Sequence, residues 1–147
     1  MQEITDVVRI LPIFEGGEAG FCPLFLSHVS AGFPAPADDY IESAIDLNKE
    51  LVRHPLATFF VRAGGDSMIE AGIQPNATLI VDRMLETKSG DIVIARIGDE
   101  MCVKELLIDD EGKVWLVPKN ENHKPFEITP DLDFEVWGKV IWAINKY

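Results

Sequence analysis

From Ala57 onward the chain is written in short β-type runs, and no other feature limits its fold as strongly. Ala57–Ala63, Thr78–Asp82, Asp91–Ile97, Met101–Ile108, Lys113–Val117 and Phe134–Ile144 are rich in β-branched and aromatic residues. Such residues fit a pleated, half-buried surface. Gly98-Asp99 and Asp109-Asp110-Glu111-Gly112 place turn residues between neighbouring runs, so the middle strands are expected to form hairpins. One helix is expected before them. Ile41, Ala44, Ile45, Leu51 and Val52 recur at helical spacing, with Asp38 or Asp39 as N-cap and Pro55 as the stop. The class expected is mainly β.

Length and composition narrow what such a chain can do. Its 147 residues, 47% of them hydrophobic, suit one domain with an arm. A net charge of −12 argues against a protein that holds DNA by its phosphates. Cys22 and Cys102 are too few for a disulfide framework and fit a reducing compartment. No apolar run is long enough to span a bilayer, and no basic start leads into an apolar signal region. A cytoplasmic protein is expected. His28, His54 and His123 are scattered and lack metal-ligand spacing with either cysteine. They read as loop or surface histidines. Phosphate-loop and dinucleotide fingerprints are absent, so no cofactor is expected. Trp115, Trp137 and Trp142 sit in strand-like runs and read as core or interface residues.

The first 31 residues differ in character from the rest. Arg9 is their only lysine or arginine. Val7 to Phe14 could make a short strand, Glu15 to Gly20 breaks regular structure, and Phe21 to Phe25 is a second apolar patch. Such an arm is expected to lie on its own body or on a partner. Val29-Ser30-Ala31-Gly32-Phe33-Pro34 joins it to the body. Pro34 and Pro36 favour extended neighbours, and small Ala31 and bare Gly32 would let their peptide bond approach another group closely. An ordinary Pro/Gly-rich linker has the same composition.

Two residues stand out as candidate chemistry. Ser67 follows the glycine pair Gly64-Gly65 at the end of an apolar run. Its bland reading is a capping box, with Ser67 as N-cap and Glu70 reaching back. Lys104 is embedded in the apolar run Met101 to Ile108, and apolar surroundings favour a neutral amine. A solvated strand lysine beside Glu105 is the competing reading. A serine needs a base before it becomes a nucleophile, and Lys104 is the candidate for that role.

Gly65-Asp66-Ser67-Met68, Gly90-Asp91-Ile92-Val93 and Val103-Lys104 resemble the self-cleaving LexA/UmuD serine peptidases. Ala31-Gly32-Phe33-Pro34-Ala35-Pro36, Asp46-Leu47-Asn48, His54-Pro55, Leu79-Ile80-Val81-Asp82 and Val136-Trp137-Gly138-Lys139-Val140-Ile141 make the resemblance strongest to UmuD-like members. The likeness runs from about Pro23 to the C-terminus. It implies several curled antiparallel sheets with an extended N-terminal arm and one short helix. It divides the chain into a cleavable arm (1–31), a linker with a short helix (32–56) and a peptidase-like β domain (57–147). It further implies Ser67 as nucleophile, Lys104 as general base, the backbone N–H groups of Asp66 and Ser67 as oxyanion donors, and a cut between Ala31 and Gly32. UmuD-like proteins carry Cys-Gly at the cut; the Ala-Gly here matches the LexA-like repressors. Implied partners are a second copy of the chain, a RecA filament on single-stranded DNA as trigger, and a UmuC-like translesion polymerase subunit in error-prone synthesis during the SOS response. A peptidase-like module used only for dimerisation and docking is the alternative.

Overall fold

The computed structural model describes β1 (Arg9–Leu11), β2 (Phe21–Phe25) and residues 41–147, with side chains from Asp46 onward. They fall into two units. One contains β2, β3 (Ile41–Asp46) and α1 (Leu47–Leu51); the other contains β1 and His54–Tyr147.

In the first unit β2 and β3 pair antiparallel, with Cys22 opposite Ile45 and Leu24 opposite Ser43. Pro23 lies within β2, an edge of its two-stranded sheet, and edge strands are where a sheet tolerates proline. The expected short helix forms, but it covers less of the pattern read from Asp38 or Asp39 to Val52. Residues 41–46 are strand, and the helix has only five residues. Asp46 makes the switch: its backbone stays extended while its carboxylate accepts the Asn48 N–H at 3.1 Å, the geometry of an N-cap. Ile41 and Ile45 suit either period, and pairing with β2 decides between them. The expected caps Asp38 and Asp39 lie outside the described residues.

The second unit is built on one antiparallel sheet. It contains β4 (Thr58–Arg62), β5 (Thr78–Asp82), β6 (Ile92–Ile97), β7 (Glu100–Ile108), β8 (Val114–Val117), β9 (Phe126–Ile128) and β10 (Phe134–Ile144). The order is β1-β4-β5-β10-β6-β7-β8-β9. Six of these strands match the expected runs to within a residue or so. The β6–β7 and β7–β8 hairpins turn where Gly98-Asp99 and Asp109 to Gly112 stand. β2 and β9 were not expected as strands.

Both faces of the central strands are buried. Val93 and Ala95 of β6 join Cys102, Leu106 and Leu116 in one cluster. Ile94, between them, joins Val61, Met68, Leu79, Val81 and Val103 in another. Burial of each valine, leucine, isoleucine or methionine among them is worth about 1.5–3 kcal/mol. β10 runs through the middle of the sheet with irregularities between Val136 and Gly138 and between Val140 and Trp142, which bend a strand. Gly138 is required there, since a Cβ would stand 2.6 Å from Val81 Cγ1. Mainly antiparallel β structure, with one short α-helix among the described residues, is therefore the fold class.

Candidate functional site

Ser67 is delivered by the crossing from β4 to β5. Ala63 N–H donates to Ala77 O at 2.9 Å, and Asn76 N–H donates to Ala63 O at 2.8 Å, closing the base of this loop. Gly65 adopts a left-handed backbone, φ 72°, which residues with a Cβ resist. The chain then turns tightly: Ile69 N–H donates to Asp66 O at 3.2 Å, with Ser67 and Met68 at the corner. The single 3-10 turn Ile69–Ala71 follows and ends at left-handed Gly72.

The capping-box reading of Ser67 does not hold. Met68, not Ser67, occupies the N-cap position. Glu70 turns its carboxylate away, accepting the Glu121 N–H at 3.1 Å.

Lys104 is delivered by β7. Pairing with β6 sets Lys104 opposite Val93. The adjacent Val103 packs in the same cluster as Met68, the residue after the serine. One shared core therefore holds the neighbours of both polar side chains. Lys104 Nζ lies 2.8 Å from Ser67 Oγ and 3.2 Å from the Val103 carbonyl oxygen. Ser67 is 1% exposed, and Lys104 is half-buried. A hydroxyl and an amine at this separation can exchange a proton directly.

A third segment, residues 118–123 after β8, borders both. Asn120 Nδ2 donates to Asp66 O at 3.0 Å. His123 Nε2 lies 2.9 Å from Asp66 Oδ1. Glu70 N–H donates to Lys119 O at 2.8 Å. Lys119 Nζ pairs with Glu105 Oε2 at 2.9 Å, on the residue next to Lys104. Sequence reasoning did not single out Asn120, which carries no signal beyond membership of a polar run. His123, read as a surface histidine, sits beside the serine turn. His54 instead binds buried Asp82 at 2.6 Å, far along the sheet at the end of β5.

Among the other expected residues, Trp137 packs on Phe59 with ring centres 5.2 Å apart and carries the Arg83 guanidinium on its face at 4.6 Å. Trp115 donates its indole N–H to Asp109 at 3.1 Å. Trp142 is exposed. Ala31, Gly32 and His28 lie outside the described residues. No helix among the described residues is long and apolar enough to cross a membrane.

Comparison with known proteins gives this geometry a context. Residues 23–141 match the family described as Peptidase S24-like. The chain is 40% identical over 126 residues to protein MucA of Salmonella typhimurium, spanning 85% of each chain. It is 48% identical over 93 residues to protein ImpA of Shigella flexneri, across 63% of this chain and 64% of that one. To the LexA repressor of Stenotrophomonas maltophilia (strain R551-3) it is 37% identical over 113 residues, 77% of this chain and 53% of the repressor.

Proposed function

We propose, since this chain belongs to the Peptidase S24-like family of LexA and UmuD proteins, that it cuts its own backbone between Ala31 and Gly32. The observation that carries this reading is the 2.8 Å separation of Lys104 Nζ and Ser67 Oγ.

In the reaction, Ser67 Oγ attacks the Ala31 carbonyl carbon while Lys104, as the neutral amine, takes the hydroxyl proton. A neutral amine has two N–H groups and one lone pair. One N–H can keep the Val103 carbonyl while the lone pair faces the serine, so the existing contacts need little rearrangement. The backbone N–H groups of Asp66 and Ser67 are the donors for the oxygen that becomes negative. The tetrahedral species then collapses, the Ala31–Gly32 bond breaks, and the amine of Gly32 leaves with the proton held by Lys104. Water, deprotonated by the same amine, frees Ala31 from the resulting ester. Residues 1–31 form the released arm, 32–56 the linker with its short helix, and 57–147 the body that performs the chemistry.

The biological reading follows the family. The protein works as a homodimer in the cytoplasm and is triggered by a RecA filament on single-stranded DNA. Its processed form serves a UmuC-like translesion polymerase during SOS mutagenesis. A trigger of this kind acts by favouring the cleavage-competent arrangement, since a ligand shifts conformations only by its differential affinity for them.

The test is cleavage of wild type, Ser67→Ala, Lys104→Ala and Lys104→Arg from neutral to alkaline pH, with products weighed by mass spectrometry. Wild type should yield a new N-terminus at Gly32, with a rate that rises as the amine loses its proton. The three variants should not cut. Arginine cannot substitute because it keeps its proton. Cleavage at Ala31-Gly32 by Lys104→Ala with the wild-type pH profile would exclude the pair.

A further inference from the structure

We infer that Asn120 is a positioning residue for the reaction: it fixes the peptide plane between Asp66 and Ser67 and thereby aims the Ser67 N–H. The inference rests on the self-cleavage reading above.

Asn120 is a buried amide, 7% exposed, and buried polar side chains need partners for both ends. It has them. Its Nδ2 donates to Asp66 O at 3.0 Å, and its Oδ1 accepts the Asn122 N–H at 3.0 Å. The second bond folds the loop onto the side chain and holds it in place. The first reaches across from a different part of the chain to the turn that carries the nucleophile.

The carbonyl that Asn120 grips matters because of what shares its plane. Asp66 C=O and Ser67 N–H belong to one peptide unit. A trans peptide is planar and points its C=O and N–H in opposite directions, and no described peptide bond is cis. Fixing the oxygen therefore fixes the direction of the Ser67 N–H. Ile69 N–H holds the same oxygen from within the turn at 3.2 Å, but that contact rotates with the turn. Asn120 supplies the reference outside it.

The rest of the segment stiffens that reference. Lys119 O accepts the Glu70 N–H at 2.8 Å, Glu121 N–H donates to Glu70 Oε1 at 3.1 Å, and His123 Nε2 meets Asp66 Oδ1 at 2.9 Å. The ion pair of Lys119 with Glu105 ties the segment to the lysine-bearing strand. An oxyanion donor works only when preorganised toward the developing charge, and loss of one donor typically lowers a rate about 100- to 1000-fold. Misaiming one should lower it less, by roughly 10- to 100-fold.

The experiment uses the full chain. Asn120→Asp keeps the oxygen that accepts from Asn122 and removes the donor to Asp66. Asn120→Ala removes both, and serves as well if the aspartate variant folds poorly. Self-cleavage rates are measured across pH beside denaturant unfolding, and Ser67 labelling by a fluorophosphonate is timed on the same samples. The expected result is a rate roughly 10- to 100-fold lower at every pH, with the alkaline rise at the same position and labelling slowed in parallel. Lys113→Ala, which removes an exposed ion pair with Glu111 outside this segment, should cut within about threefold of wild type; an equal loss in that variant overturns the inference. A purely structural role predicts a loss that vanishes once rates are corrected for the folded fraction; that result overturns the inference. So do wild-type rates in both Asn120 variants. If wild type cuts and Ser67→Ala does not, those failures belong to Asn120 alone. If Ser67→Ala also cuts, or wild type never does, the self-cleavage reading falls and this inference falls with it.

Discussion

Lys104 is carried by a nine-residue strand whose backbone is bonded to β6 on one side and β8 on the other. Ser67 is carried by a turn held by the Ile69 N–H on Asp66 O, by the Ala71 and Ile73 N–H groups on Met68 O, and by side chains and carbonyls of residues 119–123. The first arrangement shares its constraint over many ladder bonds, so no single side chain matters much to where the lysine sits. The second concentrates its constraint in a few contacts. The lysine side should therefore be sensitive to its functional group and tolerant in its surroundings, and the serine side sensitive to its surroundings.

The largest effect should come from removing the amine while leaving the strand. Lys104→Met keeps a long unbranched side chain and the whole ladder. Self-cleavage should fall by about 100- to 10,000-fold, the usual worth of a general base, with the unfolding transition almost unchanged. A large drop in stability would show that the lysine side chain supports the strand after all.

Next in size is a change near the serine that leaves Ser67 itself untouched. Gly65→Val forces a β-branched residue into the left-handed region, φ 72°, at a cost of about 1–3 kcal/mol. Because the strain sits next to the turn, the serine should move, and a shift of about 1 Å costs roughly 100-fold in rate. Cleavage corrected for folded fraction would measure this. A wild-type rate would mean that the turn is held without Gly65.

The matching test beside the lysine is Leu106→Ala, a core truncation two residues from Lys104. Leu106 is 4% exposed, and the change should cost about 2–5 kcal/mol by chemical denaturation. Folded molecules should nonetheless cut at close to the wild-type rate, since the ladder still places Lys104.

The smallest effect concerns pH and the anchor of β7. Leu106 N–H donates to the Asp91 carbonyl at 2.8 Å. Burial alone would raise the Asp91 carboxyl, but the Lys88 N–H at 3.0 Å and the Lys139 ammonium at 3.3 Å together outweigh it and hold it below its ordinary value. A carboxyl lowered by folding adds stability that is complete above its unfolded value, near 3.9, and is lost as pH falls through the lower folded value. Asp91→Asn should thus flatten the acid limb of the unfolding midpoint between neutral pH and about pH 2. An unchanged acid limb would remove Asp91 from the account.

The same contrast explains what could be read from residues alone. β4 to β8 and β10 announce themselves through β-branched and aromatic runs and turn residues, because the central strands bury apolar side chains on both faces. Lys104 interrupts such a run and is conspicuous for that reason. Ser67 is conspicuous because of Gly64-Gly65 before it. Residues 41–46 carry a helical period although they form a strand, because their partner, β2, lies upstream across a long stretch of chain and local periodicity holds no record of it. β9 is three residues beside a proline and carries too short a pattern. Asn120 could not be found at all. Its role depends on Asp66, 54 positions away, and a buried asparagine looks in sequence like any loop asparagine.

β1 adds one consequence. Among the described residues Arg9, Ile10 and Leu11 pair with β4, and a ladder of three residues is too short to persist without help. In the intact chain the covalent tether supplies that help, by keeping the strand near its partner at an effective concentration of order millimolar. A cut between Ala31 and Gly32 removes the tether without touching a single β1–β4 hydrogen bond. At micromolar protein the local concentration of β1 would drop roughly a thousandfold. The outer backbone of β4, with its unpaired N–H and C=O groups, would then stand as an open sheet edge that any extended strand could occupy.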